Sequence, residues 1–209
     1  MSATNRTAAL LLLVLAPLVI ALTWTASALG AESTAAATAP EAVILVATPQ
    51  FRDPLYGGTI LIAKPMEGGR HVGFILNRPT KYTLSDAFPE HSPSKRVRDP
   101  LYLGGPEEID TVFALVNGHE SPGKGSLQLG EDLYLATAAE TVDRVIETLA
   151  NRARFFVGAV WWRPGELKEE LRRGVWYVFD PEPDLILPKK TEGLWQELVR
   201  RAVFRERGI

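Results

Sequence analysis

Thr59–Leu76 reads TILIAKPMEGGRHVGFIL. Two runs of branched and apolar residues, Thr59–Lys64 and His71–Leu76, flank the glycine-bearing turn Pro65–Arg70, and this pattern predicts a β-hairpin. Upstream, Ala42–Ala47 (AVILVA) is a continuous apolar run stopped by Pro49, which reads as a buried strand. Downstream, Asn77-Arg78-Pro79-Thr80 ends the hairpin, because Pro79 drives the residue before it out of helical geometry. Further strands are expected at Leu101–Leu103, Thr111–Val116, Ser126–Leu129, Leu133–Ala136, Arg154–Trp161 and Val175–Phe179. Helices fall between them. Thr83 caps a short one. Thr137–Ala150 is another, with Val142, Val145, Ile146 and Leu149 on one stripe and Thr137 and Glu140 spaced as a capping box. Pro164–Arg173 starts on proline and stops at Gly174. A last helix is expected over Thr191–Arg205, with Leu194, Trp195, Leu198 and Ala202 on one side. Strict strand–helix alternation is absent, so the fold class is α+β, a single domain on a mixed, mainly antiparallel sheet flanked by helices.

The chain divides into residues 1–31, a linker at 32–40 and a domain at 41–209. Residues 7–31 are uncharged, Ala8–Leu22 is almost wholly apolar, and Ala26 and Ala28 fit the small-x-small cleavage rule. This order predicts a secretory signal peptide, hence a periplasmic or secreted protein after cleavage. A membrane anchor is the alternative, since the uncharged stretch is just long enough to cross a bilayer. A misassigned start codon would leave the protein cytosolic. Glu32–Pro40 (ESTAAATAP) is a linker of small residues.

Of 23 basic and 25 acidic residues, only Arg6 lies in the first 31, so the remainder has 22 against 25, a net charge of −3. Duplex binding draws on a basic excess, so nucleic acid is not an expected partner. There is no cysteine. That rules out thiolate catalysis, cysteine-ligated metal, disulfides and a lipoprotein anchor.

Familiar chemical motifs fail one by one. Gly118–Gly125 (GHESPGKG) approaches a phosphate-binding loop, but Gly125 stands where the hydroxyl residue belongs and a strand follows. His71, His91 and His119 have no ligand partner at helical spacing, so no zinc motif is present. His119-Glu120-Ser121 holds the residue types of a triad, but adjacent residues do not converge as triad members must. The acidic pairs Glu107-Glu108, Glu131-Asp132 and Glu169-Glu170 read as surface turns, and Phe155, Phe156, Trp161, Trp162 and Trp176 as packing. The sequence thus assigns no catalytic, cofactor-binding or metal-ligating residue.

Several blocks, in order, resemble the YqgE/AlgH family, also called UPF0301 or DUF179. They are Val46-Ala47-Thr48-Pro49 with Asp53-Pro54, Gly73–Thr80 (GFILNRPT), Tyr102–Pro106 (YLGGP), Leu127–Leu135 (LQLGEDLYL), Pro164–Leu167, and Glu169-Glu170-Leu171 with Trp176 beyond. The resemblance runs from about Val43 to Trp195 and implies a barrel-like, mainly antiparallel sheet flanked by helices. It implies no reaction, cofactor or catalytic residue, and some family members are described as transcriptional regulators. The chain departs from the pattern in its leader, in Trp161-Trp162-Arg163 and in Tyr56–Ile60.

Loops after strands are where binding sits. The expected function is therefore a non-catalytic binding or interaction domain at the cell envelope, with an unidentified protein or small-molecule partner and membrane contact only through the N-terminal segment. Its candidate binding loop is Asn77, Arg78 and Thr80 with Gly104 and Gly105. The competing reading of Asn77 and Arg78 is that they satisfy backbone carbonyls in turns. A transcriptional regulator and an envelope hydrolase with an unrecognised site are the alternatives.

Overall fold

The computed structural model describes residues 42–187 and 190–208; the expected signal or anchor and the linker lie outside them. Ten strands form one sheet. They are β1 (Val43–Ala47), β2 (Ile60–Pro65), β3 (His71–Ile75), β4 (Pro79–Thr83), β5 (Pro100–Leu103), β6 (Glu107–Asn117), β7 (Ser126–Gly130), β8 (Leu133–Ala136), β9 (Ala153–Trp162) and β10 (Trp176–Phe179). The helices are α1 (Leu84–Ala87), α2 (Ala139–Thr148), α3 (Glu166–Arg172), α4 (Pro183–Ile186) and α5 (Leu194–Glu206). The main path runs β10-β1-β2-β3-β9-β6-β8-β7, with β4 on β5 and β5 on β9. Among the described residues only β5 and β9 pair in parallel, so the sheet is mixed and mainly antiparallel, as expected. It curls into a half-barrel, and the Ala42 amide donates across to the Leu129 carbonyl of the far strand β7 at 3.4 Å.

Alternation sorts the side chains into layers. Ile44, Val46, Ile60, Ile62, Phe74, Leu115 and Leu135 point into the hollow, which α4 and α5 close with Ile186 and Leu198. On the outer face, Leu45, Leu61 and Ile75 meet Leu167 of α3. Further along the same face, Ala114, Val116 and Phe155 meet Val142, Val145 and Ile146 of α2. β9, ten residues long, runs past both outer helices and so takes part in all three layers, and it changes parity midway. Phe155 faces out and Phe156 in, whereas Ala159 faces in and Val160 and Trp162 face out. The change occurs at Gly158, which sits at φ 77 opposite an irregular stretch of β6. This is a β-bulge at a residue free to adopt that conformation.

Two local expectations are corrected. The chain does not leave the sheet after Asn77: Pro79 opens β4, an outlying strand that pairs only with β5. The longest internal helix begins at Ala139 without a capping box, because the Thr137 hydroxyl donates to the Gly125 carbonyl at 2.7 Å. Instead α1 is the boxed helix, where Asp86 Oδ2 accepts from the Thr83 amide at 2.7 Å and the Thr83 hydroxyl at 2.8 Å. Those bonds hold the Asp86 carboxyl below its usual range.

Burial holds the His71 imidazole below its ordinary value of 6.5, and its Nδ1 is buried with no hydrogen-bond partner among the described residues. A group whose folded pKa is depressed binds fewer protons folded than unfolded, so stability falls as pH drops below the unfolded value. The urea midpoint is expected to decline between about pH 7 and about pH 5, and His71→Phe should flatten that decline. An unchanged slope in the variant would place the sensitivity elsewhere.

Candidate functional site

The expected binding loop is assembled from two of the sequence blocks, and its polar groups face the chain itself. Asp53 Oδ1 accepts from the Leu55 and Tyr56 amides, both at 2.8 Å, which turns the chain after Thr48-Pro49. Asn77 then locks the loop to the sheet: its Oδ1 accepts from the Ile60 amide and its Nδ2 donates to the Gly58 carbonyl, both at 2.9 Å. Arg78 donates through Nη2 to the Gly57 carbonyl at 3.0 Å and the Leu55 carbonyl at 3.3 Å. The Thr80 hydroxyl accepts from the Tyr82 amide at 3.1 Å, a local turn bond. Phe51, Tyr56 and Trp176 pack beneath the loop, with Phe51 edge-on to Trp176 at 5.1 Å. Burial first, then the charge of Glu170, pushes the Tyr56 phenol up to about 12, so it stays protonated. A shallow cleft of about 480 Å³ lies above, lined by Thr48, Arg52, Asp53 and Trp195 among others.

Gly104 and Gly105 are buried where the chain crosses β9. Gly104 donates its amide to the Val157 carbonyl at 2.8 Å, and its own carbonyl accepts from the Ile75 amide at 2.7 Å. The close approach that these glycines permit is to β9's own backbone, and the Leu103 amide just before them donates to the Arg78 carbonyl at 2.8 Å.

The three histidines lie in separate places. His119 Nδ1 pairs with Asp132 Oδ1 at 2.7 Å, but its side chain is 85% exposed. Ser121 Oγ is engaged with the Gly123 carbonyl at 3.2 Å rather than with His119. His91 is more enclosed. Its Nδ1 lies 2.7 Å from Ser94 Oγ and its Nε2 lies 3.2 Å from Asp143 Oδ1. This Ser–His–Asp chain is not a nucleophilic triad, because Ser94 is fully buried and no substrate reaches it.

His91 and Asp143 stand on the rim of a groove of about 580 Å³ between α2, β6 and the segment that follows α1. Phe88, Val112, Val142 and Ile146 supply apolar walls, and Asp110, Thr137 and Glu140 supply polar groups. The sequence reading missed this groove because its residues come from three separate stretches. A partial signal was the exposed run Glu107–Asp110 beside an amphipathic helix.

The other group missed is Arg154, a cation in the hollow of the sheet at 5% exposure. Nη1 donates to the Ile186 carbonyl at 2.6 Å and Nη2 to the Leu76 carbonyl at 2.8 Å, and the guanidinium lies 4.0 Å from the Tyr102 ring centre. Burial pushes its pKa down. Its position at the head of an apolar strand gave no sign of this role.

A UPF0301 protein of Streptomyces avermitilis is 30% identical over 165 residues, covering 76% of this chain and 84% of the relative. One of Chlorobaculum tepidum is 28% identical over 160 residues, covering 75% and 83%. The solution structure of the AlgH protein from Pseudomonas aeruginosa matches with a TM-score of 0.62 at 22% identity, over 80% of this chain and 88% of that one. A crystal structure from Corynebacterium diphtheriae matches with a TM-score of 0.61 at 20% identity, over 76% and 85%. These two likenesses establish the fold. Residues 44–205 match the family described as AlgH-like, DUF179, so this chain belongs to that family.

Proposed function

We propose that the protein is a non-catalytic binding domain of the cell envelope that takes a small, partly apolar ligand in the groove between α2 and β6. The observation that carries this reading is the groove itself. Its volume of about 580 Å³ falls within the range of small-molecule sites, and its walls are apolar with a few polar groups at the rim. The hydrogen bonds described for Asn77, Arg78 and Gly104 are all to backbone, which favours a role for them in shaping the domain. The uncharged stretch at residues 7–31 supports the envelope assignment.

Ala139 is exposed at the mouth of the groove, so Ala139→Trp fills it without touching the core. A fragment screen by NMR on the full-length protein is expected to shift amides at 110–112 and 139–146. The same fragments should leave Ala139→Trp unshifted. Shifts concentrated at 48–58 instead would sink the groove reading and move the site to the Asp53–Trp195 cleft. N-terminal sequencing of protein recovered from cells tests the envelope assignment; intact Met1 in the cytosolic fraction would defeat it.

A further inference from the structure

We infer that His91, Asp143 and Glu147 form a binding site for a divalent transition-metal ion of the zinc type at the rim of this groove. Their candidate ligand atoms all lie within 4.8 Å of one another. Asp143 and Glu147 are one turn apart on α2, and His91 reaches them from the separate turn at Ser92–Arg96.

The imidazole is held in the way a ligand imidazole is held. Metal-binding histidines use the second ring nitrogen to bond a fixed neighbour, which sets the tautomer and aims the first. Here Ser94 is fully buried and its amide donates to the His91 carbonyl at 3.1 Å, so the turn fixes both residues. When Nδ1–H donates to Ser94 Oγ, Nε2 carries a lone pair directed at Asp143 Oδ1, 3.2 Å away. In the other tautomer Ser94 Oγ–H donates to Nδ1 and Nε2–H donates to Asp143, so the gap takes either a proton or a metal ion. A proton would satisfy the His91–Asp143 pair alone. Glu147 adds a second carboxylate at i+4, a like-charge arrangement that is unfavourable on a helix. A divalent cation engages all three.

The spacing suits a small ion. Bonds of about 2.0–2.1 Å in tetrahedral geometry put ligand atoms about 3.3 Å apart. The His91–Asp143 separation of 3.2 Å already meets this. Glu147 is exposed, and its carboxylate lies within 4.8 Å of the other two ligand atoms. One imidazole nitrogen with two carboxylates favours zinc-type ions over magnesium or calcium, which take oxygen ligands. Three protein ligands leave a coordination position open, and His91 and Asp143 both border the groove. The opposing influence is Arg96 and Arg98, which line the adjoining cleft with Glu147 and compete for its charge.

The site shares the groove proposed above but does not depend on a groove ligand. Isothermal titration of the full-length protein in mild detergent with Zn²⁺ alone is expected to show one ion per chain, with Mg²⁺ giving no heat. His91→Gln should abolish this binding. Glu147→Gln, at an exposed position where folding is not at risk, should weaken it about tenfold, and Ser94→Ala, which releases the ring, about 10–100-fold. His119→Gln should leave it unchanged. Absence of Zn²⁺ binding, binding that survives His91→Gln, or affinity unchanged in Glu147→Gln would overturn the inference. Ala139→Trp separates the two readings, since it blocks the groove while leaving all three ligands in place.

Discussion

Gly105→Ala is expected to destabilise the domain by about 3 kcal/mol or more, the upper range for overpacking. A Cβ at Gly105 would lie 2.1 Å from the Ala159 oxygen and 2.2 Å from its carbonyl carbon. These are backbone atoms of β9, which is paired with β3, β5 and β6. No side-chain rotation relieves the clash, so the parallel β5–β9 contact must open. Gly104 and Gly158 belong to the same crossing. A Cβ on Gly104 would meet the Gly158 oxygen at 2.2 Å, and one on Gly158 would meet the Gly105 oxygen at 2.3 Å. Gly68→Ala is the comparison, with φ 71 and no atom within 4 Å of the added carbon. It should cost only the left-handed penalty of about 1–2 kcal/mol. Urea unfolding of both variants checks this; equal midpoint shifts would show that the crossing is compliant.

Arg154→Met is expected to cost about 3 kcal/mol, because it orphans buried acceptors that cost about 1–3 kcal/mol each. The side chain joins β3 to α4 through the Leu76 and Ile186 carbonyls while lying over Tyr102 of β5. Methionine fills much of the volume but offers no donor. Arg154→Lys keeps the charge yet lacks the planar fork that reaches two carbonyls at once, so it should recover little. Hydrogen exchange adds a spatial test: amides at 185–187 should exchange faster in both variants. Full protection of α4 in Arg154→Met would show that apolar contacts of Leu185 and Ile186 suffice.

Much of the frame was legible because burial writes itself into periodicity. β1, β2 and β3 are apolar runs between glycine and proline breaks, and the Val142–Ile146 stripe marks the buried side of α2. Where burial is weak, the signal fades. β4 (PTKYT) has no buried residue, and the first half of β6 is the charged, exposed Glu107–Asp110, so neither read as strand. The Thr137 hydroxyl matched a capping motif but was drawn to the Gly125 carbonyl, a tertiary partner that local spacing does not reveal. The candidate site was less legible still. The blocks containing Asp53, Asn77 and Arg78 stood out, yet their hydrogen bonds run to backbone of the 55–60 loop. His91 and Asp143 carried no motif because they lie 52 positions apart in the chain and meet only through the packing of α2 against the turn after α1.

The bulge at Gly158 makes one strand a wall shared by two rooms. On one side of it β9 backs onto α2, on the other onto α3, while both halves face the common interior. Losing a single residue from either half would therefore turn only that half inside out, sending Phe156 to the helix-covered face or Trp162 into the hollow while the other half kept its register. Changes in chain length are tolerated least along this strand. Variation that alters surface chemistry without altering the frame belongs on the exposed first turn of α2, next to the groove.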